Sequence, residues 1–117
     1  MGEALTTEVQ RERGGAIVTA AGEIDIATAT RLRECLLGLA ARGRPLIADL
    51  DHVGFIDSAG LRALVGAAKR AAACGSLQVV CARPKIREVF RLAGLNRRIP
   101  LARTLEEAWR RSDQDPR

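Results

Sequence analysis

The sequence predicts an α/β domain built on a mixed, mostly parallel sheet, and three observations carry that reading. Short apolar runs alternate along the chain with segments whose apolar residues recur every three or four positions. Strands that alternate with helices need crossover connections, which makes their sheet parallel, while a glycine-bearing turn between the first two runs adds an antiparallel edge. The third is composition: 117 residues with 47% hydrophobic and 28% charged content fit one globular domain. Aromatics are only 3% with no Tyr, so the core must come from Leu, Ile, Val and Ala, which suits a compact α/β unit better than an all-β sandwich.

Leu5 to Gln10 and Ala16 to Ala21 read as strands around Arg11-Glu12-Arg13-Gly14-Gly15, whose glycines supply the positive φ of a tight hairpin. Ala29, Leu32, Cys35, Leu36 and Leu39 then mark the apolar stripe of a helix from about Ala27 to Ala41, stopped by Gly43, Arg44 and Pro45. Leu46 to Leu50 is a strand with both faces covered. The period changes at Leu61, Leu64, Val65 and Ala68, which predicts a helix from Ser58 to about Ala73, ending near Gly75. Gly66 inside it costs roughly 1 kcal/mol against Ala and suggests a close backbone contact.

Leu77 to Ala82 is the next strand. Pro84 suits a first helical turn, Ile86, Val89, Phe90 and Ala93 form that helix's buried face, and Gly94 closes it. A short strand near Ile99 to Ala102 precedes Thr104 and Glu107, a capping-box pair that opens a last helix through Ala108 and Trp109. Four to five strands result, with helices packed on the sheet. The domain is expected over residues 1–111, followed by a frayed polar tail over 112–117.

The net charge of +5 raises nucleic acid as a partner. The arginines read as scattered on solvated helix faces, without a basic arm or zinc-finger spacing, so no direct nucleic-acid contact is expected. A basic surface still favours docking to an acidic protein. No apolar run is long enough to cross a bilayer and no signal-peptide pattern opens the chain, so a cytoplasmic location without membrane contact is expected. Cys35, Cys74 and Cys81 lack paired spacing and read as small hydrophobes. His52, the one histidine, is read in the linker before Phe55 with no partner for a metal. No metal, cofactor or catalytic residue is expected.

Asp57-Ser58-Ala59-Gly60 joins the central strand to its helix. Ser58 stands at the N-cap position by this reading, where its oxygen would meet the free N–H groups of the first turn. Ser58 is therefore either a plain cap or a modifiable serine, since a phosphoryl group there would meet free donors and the positive end of the helix dipole. Asp25, like Ser58, sits where a strand's C-terminal end meets a helix, the working surface of such sheets.

Asp57-Ser58-Ala59-Gly60-Leu61 after an apolar strand, Gly22-Glu23-Ile24-Asp25 upstream and Val89-Phe90-Arg91-Leu92-Ala93-Gly94-Leu95 downstream together resemble the STAS domain of bacterial anti-sigma factor antagonists. The resemblance spans nearly the whole chain. It implies a protein that binds an anti-sigma factor serine kinase and so releases a sigma factor. Phosphorylation of Ser58 would end that complex, and a serine phosphatase would restore it. It also assigns Gly22, Asp25, Ile26, Asp57, Ala59, Gly60 and Leu61 to the partner-binding surface. Ala59 replaces a frequent Ser or Thr, which leaves one candidate hydroxyl. On the residues themselves, Gly60 also fits close helix–sheet packing and Leu61 fits the core.

Other classes fit less well. A hydrolase nucleophile elbow wants Gly-x-Ser-x-Gly, but Ile56 fills the first glycine position and His52 has no acidic residue placed to orient it. A receiver domain wants an acidic pair after its first strand, where Thr7, Glu8 and Val9 stand. The alternative function is a STAS scaffold or regulatory module of a stress-signalling complex that does not itself release a sigma factor.

Overall fold

The computed structural model describes residues 4–40, 44–74 and 76–114. Strands β1 (Thr6–Glu12) and β2 (Gly15–Ile24) form an antiparallel hairpin, and β2 leads through α1 (Ala29–Leu39) to the central strand β3 (Pro45–Ile56). Helix α2 (Ser58–Cys74), β4 (Ser76–Val80), α3 (Pro84–Leu92), β5 (Leu101–Ala102) and α4 (Leu105–Gln114) follow. The sheet order is β1-β2-β3-β4-β5, with β2 to β5 parallel.

That order explains where the helices lie. Each crossover steps one strand in the same direction, and right-handed connections then stack their helices on one face of the sheet. Leu32 and Leu36 of α1, Leu64 of α2, and Ile86 and Phe90 of α3 accordingly share one core with Val18, Leu46, Ala48 and Leu50. The alternate residues Ile17, Ile47 and Val80 point to the other face, where α4 covers them with Ala108 and Trp109. Arg13 of the hairpin turn lies over the Trp109 ring, 5.2 Å from its centroid, which ties the first turn to the last helix.

The hairpin turn is made by Arg13 (φ 52°) and Gly14 (φ 75°). Gly15, expected to serve the turn, is already in β2, where a Cβ would fall 2.1 Å from the Pro45 carbonyl oxygen. Its missing side chain serves close strand packing instead. The strand β3 runs past Leu50 to Ile56, so His52 is an exposed strand residue paired with Ala21, not part of a linker. Register shifts between Thr19 and Ala21 and between Gly22 and Glu23 disrupt the alternation that would have marked the extension. The last strand is shorter than expected: Ile99 is buried but Pro100 has no N–H to give a ladder, and pairing begins at Leu101.

Helix ends follow local chemistry. Gly94 (φ 72°) closes α3 in a Schellman arrangement, with Leu95 N–H donating to Phe90 O at 2.9 Å. Thr104 Oγ1 accepts from Glu107 N–H at 3.1 Å, while Glu107 Oε2 reaches the Arg103 N–H instead of that of Thr104. Helix α4 continues to Gln114 with Ser112 buried, so the polar tail does not begin at 112. The Glu107–Arg111 ion pair and the docked face of the helix carry it that far. The expected stops at Ala41, Gly43 and Gly75 and the residues 115–117 lie outside the described residues. Burial pushes the Cys35 and Cys81 thiols above their usual range, in keeping with packing roles.

Candidate functional site

The parallel pairing of β2 and β3 brings the ends Ile24 and Ile56 side by side, and with them the loops that open α1 and α2. Asp57 N–H donates to Ile24 O at 3.1 Å and fastens the two loops together. Asp25 and the Asp57-Ser58 pair therefore meet at one end of the sheet, as the junction reading required.

Within α2's opening the cap is Asp57, one residue earlier than expected. Its Oδ1 accepts from Ala59 N–H at 3.0 Å and Gly60 N–H at 3.1 Å, and its carbonyl takes the Leu61 N–H. Ser58 is thus the first residue of the helix, exposed, with capping done by its neighbour's carboxylate. An aspartate and a serine are both good caps, so their order alone could not tell which would serve.

The loop before α1 is built the same way. Asp25 Oδ1 accepts from Ala27 N–H at 2.9 Å and Thr28 N–H at 3.1 Å. Thr28 Oγ1 accepts from Asp25 N–H at 3.0 Å and donates to Glu23 O at 2.8 Å. Thr28 escaped the sequence reading. Its signal was there in the shared spacing, Asp25-x-x-Thr28 beside Asp57-x-x-Gly60.

Two glycines give the site its tight shape. A Cβ on Gly60 would meet Ile24 Cγ2 at 2.5 Å and Ile56 Cγ1 at 2.7 Å, so only glycine lets α2 start this close to the strand ends. Gly22 (φ 112°) lets β2 pass the backbone of Ala4, whose oxygen a Cβ would approach to 2.5 Å. Gly22, Gly60 and Leu61 are buried, so they shape the surface from beneath. Ile26, by contrast, is 81% exposed.

Ile26 and Ala59 flank a cavity of about 320 Å³ between α1 and α2, whose other walls include Arg33, Arg62 and Gly66. Gly66 does not meet another backbone as its position suggested; the near neighbour is a side chain, and a Cβ there would sit 3.3 Å from Arg33 Nε. Neither arginine was singled out by the sequence, because each reads as one more charge on a solvated helix. Among the described residues no group of His, Cys, Asp and Glu is placed to hold a metal ion. No helix among them is long and apolar enough to cross a membrane.

Comparisons with known proteins show the family and the fold. The family model described as the STAS domain matches residues 6–108. The anti-sigma-F factor antagonist RsfB of Mycobacterium tuberculosis is 31% identical over 108 residues, 91% of this chain and 88% of the relative. The anti-sigma-B factor antagonist of Bacillus subtilis is 34% identical over 92 residues, 78% of this chain and 84% of its own. A crystal structure of an anti-sigma factor antagonist from Mycobacterium paratuberculosis superposes with a TM-score of 0.86 at 31% identity, covering 94% of this chain and 95% of that one.

Proposed function

We propose a role for this chain from the fact that it belongs to the STAS domain family: it is an anti-sigma factor antagonist, switched by phosphorylation of Ser58. The unmodified form binds an anti-sigma factor that is also a serine kinase, and the sigma factor is thereby released. Phosphorylated Ser58 ends that complex, and a serine phosphatase regenerates it. The protein itself needs no catalytic residue for this, because kinase and phosphatase supply the chemistry.

The observation that carries the reading is the exposed Ser58 hydroxyl at the first position of α2, relieved of capping by Asp57. A phosphoryl group there adds about −1.5 to −2 charge beside the Asp57 carboxylate and close to the Asp25 loop. Removing that charge from water at a tight interface costs more than the contacts return, so affinity falls while the fold stays intact. Ile26 and Ala59, on the rim of the cavity between α1 and α2, supply apolar contact area for the same partner, with Asp25 beside them.

Intact-mass spectrometry of the protein co-expressed with its anti-sigma kinase tests this directly. One added phosphoryl group is expected, absent in Ser58→Ala. Equal modification of that variant overturns the assignment, and Ser58→Asp binding the kinase as tightly as wild type overturns the repulsion mechanism.

A further inference from the structure

The positive charge of the chain is not spread evenly. Between Arg83 and Arg103 lie seven basic residues and one carboxylate, Glu88, a surplus of +6 where the whole chain carries +5. That segment is α3 and its flanks, and it encloses a cavity of about 470 Å³ between α3 and the β5 edge. The scattered distribution expected from the linear sequence thus gives way to one concentrated region.

Arg87, Arg91 and Arg103 line this cavity together with Glu88 and Asn96, while Pro84, Pro100 and Leu101 add apolar wall. Arg87 is held in place: its Nη1 donates to Cys81 O at 2.9 Å and lies 3.5 Å from Leu101 O. Those contacts use Nη1 alone and leave the Nε and Nη2 donors of a fixed guanidinium for another acceptor. Glu88 engages Arg91 through two bonds, Nε to Oε1 at 2.6 Å and Nη2 to Oε2 at 2.8 Å. Three guanidinium groups against one carboxylate leave a local charge of +2. A phosphate monoester carries about −1.5 to −2 at neutral pH and presents oxygens in the geometry a guanidinium fork matches. The volume lies within the range of small-molecule sites.

We propose that this cavity binds a compact, soluble phosphate-bearing molecule, with Arg87 and Arg103 holding the phosphate, Arg91 paired to Glu88 beside them, and the Pro84, Pro100 and Leu101 wall facing its organic part. The site is separate from the Ser58 surface and does not depend on the role given to it.

Titration of the ¹⁵N-labelled protein with ribose 5-phosphate, at about 0.15 M salt to screen loose surface attraction, tests the assignment. Saturable amide shifts confined to residues 82–103 are expected, with none on adding ribose. Arg103→Ala, at an exposed position, should weaken binding about tenfold or more, as loss of a charged hydrogen bond predicts. Arg87→Lys checks the same point while keeping the charge and losing the fork. Wild-type affinity in both variants overturns the proposal, as do shifts spread over arginines elsewhere in the chain. Equal affinity for citrate reduces the cavity to an unselective anion patch. Sedimentation with phosphatidylglycerol vesicles, without any shift from ribose 5-phosphate, would replace the soluble ligand with a lipid surface.

Discussion

The loops that lead into helices α1 and α2 are built in nearly the same way, yet they leave different chemistry at the surface. Each follows a strand of the parallel pair, and in each an aspartate, Asp25 or Asp57, takes two backbone N–H groups on one carboxylate oxygen. Three residues after Asp25 stands Thr28, whose hydroxyl is spent inside its own loop between Asp25 N–H and Glu23 O. Three residues after Asp57 stands Gly60, where Ile24 and Ile56 occupy the space a side chain would need. The hydroxyl of this second loop is on Ser58, outside the reach of the cap and open to solvent. A displacement of two residues relative to the capping aspartate therefore separates a hydroxyl that holds a loop together from one that is free to react.

Changes at these positions should rank themselves accordingly. Gly60→Ala is the most damaging, because its Cβ would press on two isoleucine side chains at once; a loss of about 1–3 kcal/mol is expected in urea unfolding, seen as a lower midpoint at unchanged slope. Thr28→Val keeps the shape and removes both hydrogen bonds, which should cost about 1–2 kcal/mol in the same measurement. Asp57→Ala removes the cap of α2 and should cost about 1 kcal/mol, with Asp57→Asn retaining most of it. Ser58→Ala should change stability by less than about 0.5 kcal/mol while abolishing phosphoryl transfer to the protein. If Ser58→Ala proved as costly as Asp57→Ala, the hydroxyl would be a cap after all and the contrast between the two loops would fail.

Much of this was readable from residue order. The alternation of apolar runs with helical stripes leads to the order of five strands and four helices seen among the described residues, because each signal is local and a stop such as Gly94 is itself local. The full length of β3 was not readable: Asp51, His52 and Gly54 interrupt its apolar run, and the shifted pairing with β2 that accommodates them is a property of two strands together. Likewise the motif around Ser58 was visible, but which of two adjacent caps serves was not, and in the fold it is Asp57, whose own N–H is held by Ile24 O of the neighbouring strand. The basic cavity was hidden for a related reason. Arg87 and Arg103 are sixteen positions apart and meet only when β5 is laid beside β4.

The strictly sequential order of the sheet also governs how the molecule would respond to force. With β1 at one edge and β5 at the other, the first and last strands of the chain are the outer ones, and tension that reaches them loads hydrogen bonds at the margins before any at the centre. The two pairs that join β5 to β4 offer little resistance, so at that end the packing of α4 on Ile17, Ile47 and Val80 must carry the load, while β1 should peel from β2 pair by pair starting at Thr6. The central strand β3, held on both sides and leading directly into the Ser58 loop, would be the last to give way when a single molecule is stretched from its ends.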